Sequence, residues 1–514
     1  MNKICTIALL ATILFFGCKK DQLNTPDLSS QPDPLSTTEM NEHLRKSIET
    51  NGVFHWSTVD ANFNWSAGMR SDSIFSIGYQ PAETTDLNSK IHSINIEDQT
   101  WKTVRTDILE MILEGEKENQ AASTIEGLLP HGMPKVLPTM AVRITNKNTI
   151  EKLMEMSEIR YVEPMGYSIP SMSPNQVSVR SGSGCDGTPS YNLNTADYST
   201  IAPNVKQSWN HNSSDVAGAW STSTGDGVTI CVIDSGASDD QENLGSAFNS
   251  GYSTGRTVTR LSTLYSGWWW WRSLQPPHDQ CGHGTSMCGF ATAPRGSDGN
   301  AVGVAYNSDL ISIRAVEDVV INTSDEKSGV KNALIIAGNN AGVKVISMSI
   351  GTPFWSGTVA DGIYFAHNKG KLIVAAAGTS LSWTSWWGVI FPANMSQTVA
   401  VTGVKDGEGS MAKCDECHSG SEVDFVMVMQ RASNNTRNAL TLTLDTNQPK
   451  YVGGSSAATA SVAGIAALVW SNHPSSSRAD IFNAMKWNSS FYPNESSNLG
   501  WGIIDAKDAV EENL

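Results

Sequence analysis

Positive charge is scarce in this chain. Its 35 Lys and Arg stand against 51 Asp and Glu, a formal net charge of −16. No Lys/Arg cluster offsets that balance, and binding a polyanion needs a basic face, so nucleic acid is excluded as a partner. A tandem repeat of fixed period is also missing, which argues against a repeat architecture. Cysteine is sparse at eight in 514 residues, so no dense disulfide framework carries the fold. What is present is ordinary globular material. A hydrophobic share of 39% and a mean hydropathy of −0.23 supply a large core, and the length suits two or three domains.

The N-terminus carries one positive charge in Met1-Asn2-Lys3 and then an apolar run from Ile4 to Phe16, too short to span a bilayer and of signal-peptide length. The run ends in Phe15-Phe16-Gly17-Cys18, which resembles a bacterial lipobox, although Phe15 stands where Leu is usual and Leu14 is one place off. That resemblance implies a signal over 1–17, acylation of Cys18, and a cell-envelope lipoprotein held at the outer membrane or cell surface; simple secretion is the alternative. Residues 18–39, rich in Ser, Pro, Asn and Asp, read as a flexible tether. Export leaves six cysteines in an oxidising compartment. Cys414-x-x-Cys417 lies in a polar loop as a candidate disulfide, or with His418 as part of a zinc site. Cys231 and Cys288 sit in apolar contexts and read as core residues.

Residues 40–168 read as a small α+β domain that ends in strand Thr139 to Ile144, helix Thr149 to Ser157 and strand Ile159 to Val162. A Ser/Gly/Pro-rich stretch follows, so 169–204 is expected to be a linker or processing region. From 205 to 514 short apolar strands alternate with helices. Strands are expected over Val228–Ile233, Asp309–Val316, Val343–Ile350 and Lys371–Ala377, with helices near Gly329–Ala341 and Val359–Asn368. The pattern predicts an α/β fold, a doubly wound, mainly parallel sheet with helices on both faces, whose functional groups gather at strand C-terminal ends.

Three short motifs carry chemistry. The strand ending in Ile233 runs into Asp234-Ser235-Gly236, and a carboxylate buried there needs a partner such as an imidazole to orient. Gly282-His283-Gly284-Thr285 places a histidine between two glycines at a helix start. Gly454-Ser455-Ser456-Ala457-Ala458 opens an Ala-rich helix, so Ser456 lies among free backbone N–H groups that can stabilise an oxyanion.

In that order the three motifs resemble the subtilisin-like serine peptidases, the subtilases, over residues 205–511. The resemblance implies an endopeptidase in which Ser456 is the nucleophile, His283 the general base and Asp234 the residue that orients it, with hydrolysis through an acyl-enzyme. It also implies that Ser349-Ile350-Gly351 and Ala376-Ala377-Gly378 wall the substrate pocket, and that the backbone N–H of Ser456 serves the oxyanion. One departure stands out: Thr379 occupies the place of the family's oxyanion-binding Asn. A catalytically weak or inactive envelope binding protein is therefore the alternative reading. An α/β-hydrolase esterase is disfavoured, since the three motifs run Asp, His, Ser along the chain and that fold orders them Ser, acid, His.

By the same resemblance, Tyr161-Val162-Glu163-Pro164 and the unit before it look like the end of a subtilase propeptide, a folding aid and inhibitor that would be a partner of its own enzyme. An unrelated accessory domain is the alternative. The expected partners are thus polypeptide substrates, the propeptide and, through Cys18, a membrane. No cofactor is required. Calcium finds only a poor match in Asp240, Asp298 and Asn300, so the metal is left unknown. Trp268 to Trp271 and Trp383, Trp386 and Trp387 form either an aromatic rim for substrate or an insertion packed on itself.

Overall fold

The computed structural model describes residues 32–118, 121–169, 185–267, 271–379, 388–407 and 411–514. Cys18, residues 1–17 and six of the clustered tryptophans (Trp268, Trp269, Trp270, Trp383, Trp386 and Trp387) lie outside them. Pro34–Leu514 form one compact unit.

The strands in chain order are β1 Ile74–Tyr79, β2 Thr139–Arg143, β3 Ile159–Pro164, β4 Tyr198–Ile201, β5 Val205–Ser208, β6 Thr229–Asp234, β7 Val258–Ser262, β8 Tyr265–Ser266, β9 Ser273–Leu274, β10 Asp309–Arg314, β11 Val343–Met348, β12 Leu372–Ala376, β13 Val399–Lys405, β14 Phe425–Arg431, β15 Asn434–Thr441 and β16 Lys450–Val452. Nine of them form one sheet in the order β16-β15-β14-β13-β12-β11-β6-β10-β7. From β14 to β7 every pairing is parallel, and β15 and β16 join antiparallel at one edge. Because helices cover both faces, β6 is apolar at successive positions. Ile230 and Val232 face the core under helices His283–Thr292 and Gly454–Asn472, while Cys231 and Ile233 face helices Ser324–Asn339 and Gly357–Asn368. The Ala-rich Gly454–Asn472 helix has the length and hydropathy of a membrane span, yet it is 89% buried in this core. The chain enters at β6, moves outward to β7, returns to β10 beside β6 and then crosses to β11, so β6 lies at the switch point of the sheet.

Residues before 170 build a separate antiparallel sheet, β2-β1-β3, covered by helices Gln99–Glu118 and Lys147–Glu155 over the apolar residues Phe75, Ile77, Ile108, Ile112, Val142 and Leu153. Its β3 end meets helix Gly357–Asn368. Arg160 pairs with Asp361 in two hydrogen bonds of 2.9 and 2.7 Å, Tyr161 Oη donates to Asp361 at 2.8 Å, and the Glu163 carboxylate accepts the Gly357 N–H at 2.7 Å. That helix has no side-chain cap of its own, so a carboxylate from β3 meets its positive N-terminal end. Lys327 Nζ donates to Met165 O at 2.6 Å.

Two stretches differ from expectation. A helix begins at Thr37, inside the expected tether, because Ser36 and Glu39 close a capping box and Met40, Leu44 and Ile48 bury one face. Within the expected linker, residues 185–204 are packed down. Cys185 is disulfide-bonded to Cys281, the β4–β5 hairpin forms, and the buried Asp197 carboxylate accepts bonds from Arg431, Arg437 and Tyr451. Composition alone conceals such long-range partners.

Candidate active site

Strand β6 delivers Asp234, fully buried, at its C-terminal end. Its Oδ1 receives the Ser235 N–H at 2.8 Å and lies 2.8 Å from His283 Nδ1. A carboxylate only accepts, so Nδ1 of a neutral His283 carries the proton and Nε2 keeps its free lone pair. Asp234 Oδ2 has no hydrogen-bond partner among the described residues. His283 is the first residue of its helix and follows Gly282 at φ +86°, a left-handed conformation that glycine adopts without strain. Gly284 is required for a different reason: a Cβ there would lie 2.2 Å from the Gly236 carbonyl oxygen.

Sequence reading missed the residue that binds these two turns together. Asp279, 1% exposed, accepts from Ser235 Oγ, Cys281 N and Gly282 N on one oxygen, and from Thr285 N and Thr285 Oγ1 on the other, all within 2.7–3.0 Å. Ser235 Oγ in turn accepts the Gly284 N–H at 3.0 Å. The available signal was an Asp three residues before a turn glycine, a placement that favours side-chain bonds to the following backbone.

Ser456 lies in the first turn of helix Gly454–Asn472, after Gly454 at φ +81°. Its Oγ donates to the Ser349 carbonyl at 3.4 Å, and Ser349 Oγ donates to the Ser456 carbonyl at 2.9 Å. Ser349 directly follows β11, which pairs with β6, so Ser456 stands at the same sheet edge as Asp234. The structure thus joins Asp234 to His283 directly and directs the Ser456 hydroxyl to Ser349 instead of to the imidazole.

Ser349-Ile350-Gly351 leaves β11 and Ala377-Gly378 leaves the adjacent β12, which ends at Ala376, so the two expected walls emerge side by side. Gly351 uses both backbone groups locally, its N–H on Val319 O and its carbonyl on Ile321 N, each at 3.0 Å. Thr379 Oγ1 is 2.9 Å from Ser455 Oγ, which also accepts the Gly378 N–H at 3.3 Å. Thr379 therefore sits over the first turn of the Ser456 helix. Asp318, nearby in charge interaction with His283, has its carboxyl pushed up by burial.

Cys414 and Cys417 are disulfide-bonded to each other, which withdraws both from zinc ligation. Cys231 and Cys288 are free and buried; burial raises both thiols, Cys231 to about 12. Asp298 binds Asn243 and the Asn300 N–H, Asn300 reaches Thr446, and Asp240 N bonds Ser238. Among the described residues no group of three or more His, Cys, Asp or Glu forms a metal cluster.

With that geometry in view, residues 225–502 match the model of the subtilase family of peptidases. The chain belongs to the subtilase family. This subtilase is 26% identical to a subtilisin of Bacillus sp. strain TA39 over 306 residues, 56% of this chain and 68% of that protein. It is 28% identical to subtilisin Savinase of Lederbergia lenta over 289 residues, 56% of this chain and 92% of that one. Among solved structures, proteases from Pseudoalteromonas arctica PAMC 21717 align at 23% identity and a TM-score of 0.46, covering 58% of this chain and 93% of theirs.

Proposed function

We propose that this subtilase is an active serine endopeptidase in which Ser456 attacks the scissile carbonyl, His283 takes and returns the proton, and Asp234 holds the imidazole in the Nδ1–H tautomer. The observation that carries this reading is the 2.8 Å Asp234–His283 bond, buried at the switch-point edge that also holds Ser456 at a helix N-terminus. In action the Ser456 hydroxyl leaves the Ser349 carbonyl and turns to Nε2. The oxyanion forms against the Ser456 N–H, with Thr379 beside it. Polypeptides are the substrates, the region before residue 170 is the propeptide, and the chain is exported with lipid on Cys18.

A scaffold that binds without cutting is the competing reading, favoured by Thr379 and by the hydroxyl's bond to Ser349. A fluorophosphonate decides between them. Intact mass should show one adduct on the parent chain and none on Ser456→Ala, with peptide turnover lost in the variant. A parent that neither labels nor turns over peptides refutes the peptidase.

A further inference from the structure

Behind Thr379 lies a second piece of machinery, the turn closed by Cys414 and Cys417. Both half-cystines are buried, at 2% and 0% exposure. One side of the turn is fixed to β13. Cys414 N–H donates to Gly403 O at 3.0 Å, Thr402 Oγ1 donates to His418 O at 2.6 Å, and a Cβ on Gly403 would lie 2.9 Å from the Cys417 sulfur. The other side grips the segment leaving β12. His418 N–H donates to Gly378 O at 2.9 Å, and Thr379 faces Cys417 in an antiparallel bridge. The His418 ring bonds Gly388 O through Nδ1 at 3.0 Å and presses on Gly378, where a Cβ would come within 2.4 Å of that nitrogen. Gly378 itself has φ +122°, so neither its space nor its backbone admits a side chain.

These contacts fix the peptide between Gly378 and Thr379. In a planar trans peptide the N–H points opposite to the carbonyl, so a Gly378 carbonyl held by His418 N–H turns the Thr379 N–H away from the clamp. From the far side, Ser455 Oγ ties Gly378 N–H and Thr379 Oγ1 to the residue preceding the nucleophile. A threonine is shorter than an asparagine, so any contribution from position 379 depends on a backbone held close to the oxyanion. We infer that the Cys414–Cys417 disulfide and His418 are positioning residues that hold the Gly378–Thr379 segment against the Ser455–Ser456 turn and thereby supply oxyanion geometry that a longer side chain would otherwise reach. This rests on the peptidase reading above.

Oxyanion contacts exist in the transition state and not in the bound substrate, so their loss lowers kcat and leaves KM nearly unchanged. Removing an entire donor in a subtilisin costs about 10² to 10³ in turnover, and loosening one should cost about tenfold to a hundredfold. The test uses the full chain with Cys414→Ser/Cys417→Ser, since a reducing agent would also open Cys185–Cys281. Peptide kcat and KM, the fluorophosphonate-titrated fraction and the thermal midpoint are read together. The expected result is a folded, fully titrating variant with kcat reduced by that factor and KM unchanged. His418→Ala, which leaves the disulfide whole, should show the same kcat-specific loss, and it carries the test if the double variant does not fold. Parent-like kcat in a folded variant overturns the inference, as does a loss confined to KM. If the parent chain itself neither titrates nor turns over, the peptidase reading falls and this inference falls with it.

Discussion

Arg160→Ala is the most exposed test of how the N-terminal sheet is held to the nine-stranded sheet. The guanidinium spans both oxygens of Asp361, whose side chain is 1% exposed, while its own is 14% exposed. Deleting it leaves a buried carboxylate with Tyr161 Oη as its remaining hydrogen-bond partner among those described above. A buried charge stripped of its counter-ion costs about 3–5 kcal/mol, and loss of the guanidinium beside the Tyr161 ring, 5.4 Å from its centroid, adds about 0.5–1 kcal/mol. The pair itself contributes much less, because both ions were desolvated to form it; Arg160→Met/Asp361→Leu should therefore lie well above the single variant in stability. The assay is denaturant unfolding of the full chain in a Ser456→Ala background, which guards against self-cleavage, with Arg160→Ala measured alongside and Arg160→Met, Asp361→Leu and Arg160→Met/Asp361→Leu closing a cycle. A cost below about 1 kcal/mol for Arg160→Ala, or a double variant as weak as the single, would refute the argument by showing that water reaches the orphaned carboxylate.

Two further outcomes follow from carboxylates elsewhere, Asp279 buried and Asp424 half-buried. Asp279→Asn puts an NH₂ group where the surrounding partners are all donors, so a loss of about 1–3 kcal/mol in stability is expected together with at least a tenfold fall in kcat/KM as the Gly282–His283 turn slackens; parent-like turnover would show that the turn holds without it. Asp424, whose carboxylate accepts the Ala400 N–H at 2.8 Å, has its pKa pushed by burial from 3.8 to about 7. Its folded form thus holds the proton more tightly than the unfolded chain, so its contribution is complete below pH 4 and fades as pH rises through 7. Asp424→Asn should match the parent near pH 4 and exceed it in thermal midpoint near pH 8, and a difference that stays flat across that range would contradict the shift.

The parallel sheet was legible because strands covered on both faces have no solvent side to encode, so β6 and β12 appear as apolar runs, and β10 and β11 as mainly apolar ones broken by Ser312 and by Lys344 and Ser347, ending at recognisable turns. Helix Ser324–Asn339 was placed late, near Gly329, because its start is set by the Thr323–Glu326 capping box and not by apolar periodicity. The Asp234–His283 contact was readable from motif order. Asp279, Ser455 and His418 were not, since each acts through hydrogen bonds to backbone far away in sequence or hidden in a turn. The packing of residues 34–135 was also hidden. Phe54 bridges Phe354 and joins Trp56, Phe63 and Tyr167 in one aromatic cluster, so the burial of this cluster draws on a residue 300 positions downstream.

The Cys185–Cys281 bond turns a linear chain into a ring, its half-cystines 96 positions apart, with His283 two residues beyond the clasp. Closing a ring of that size removes disorder from the unfolded state worth about 4–5 kcal/mol in the chain-entropy picture. A backbone cut on the amino side of Cys185 leaves the ring whole, so the new chain end is born already fastened beside the imidazole. A cut within the ring opens it, yet the pieces remain a single molecule until the sulfur bridge is reduced. Wherever the backbone is severed on the amino side of Cys281, the clasp next to His283 decides which pieces can part.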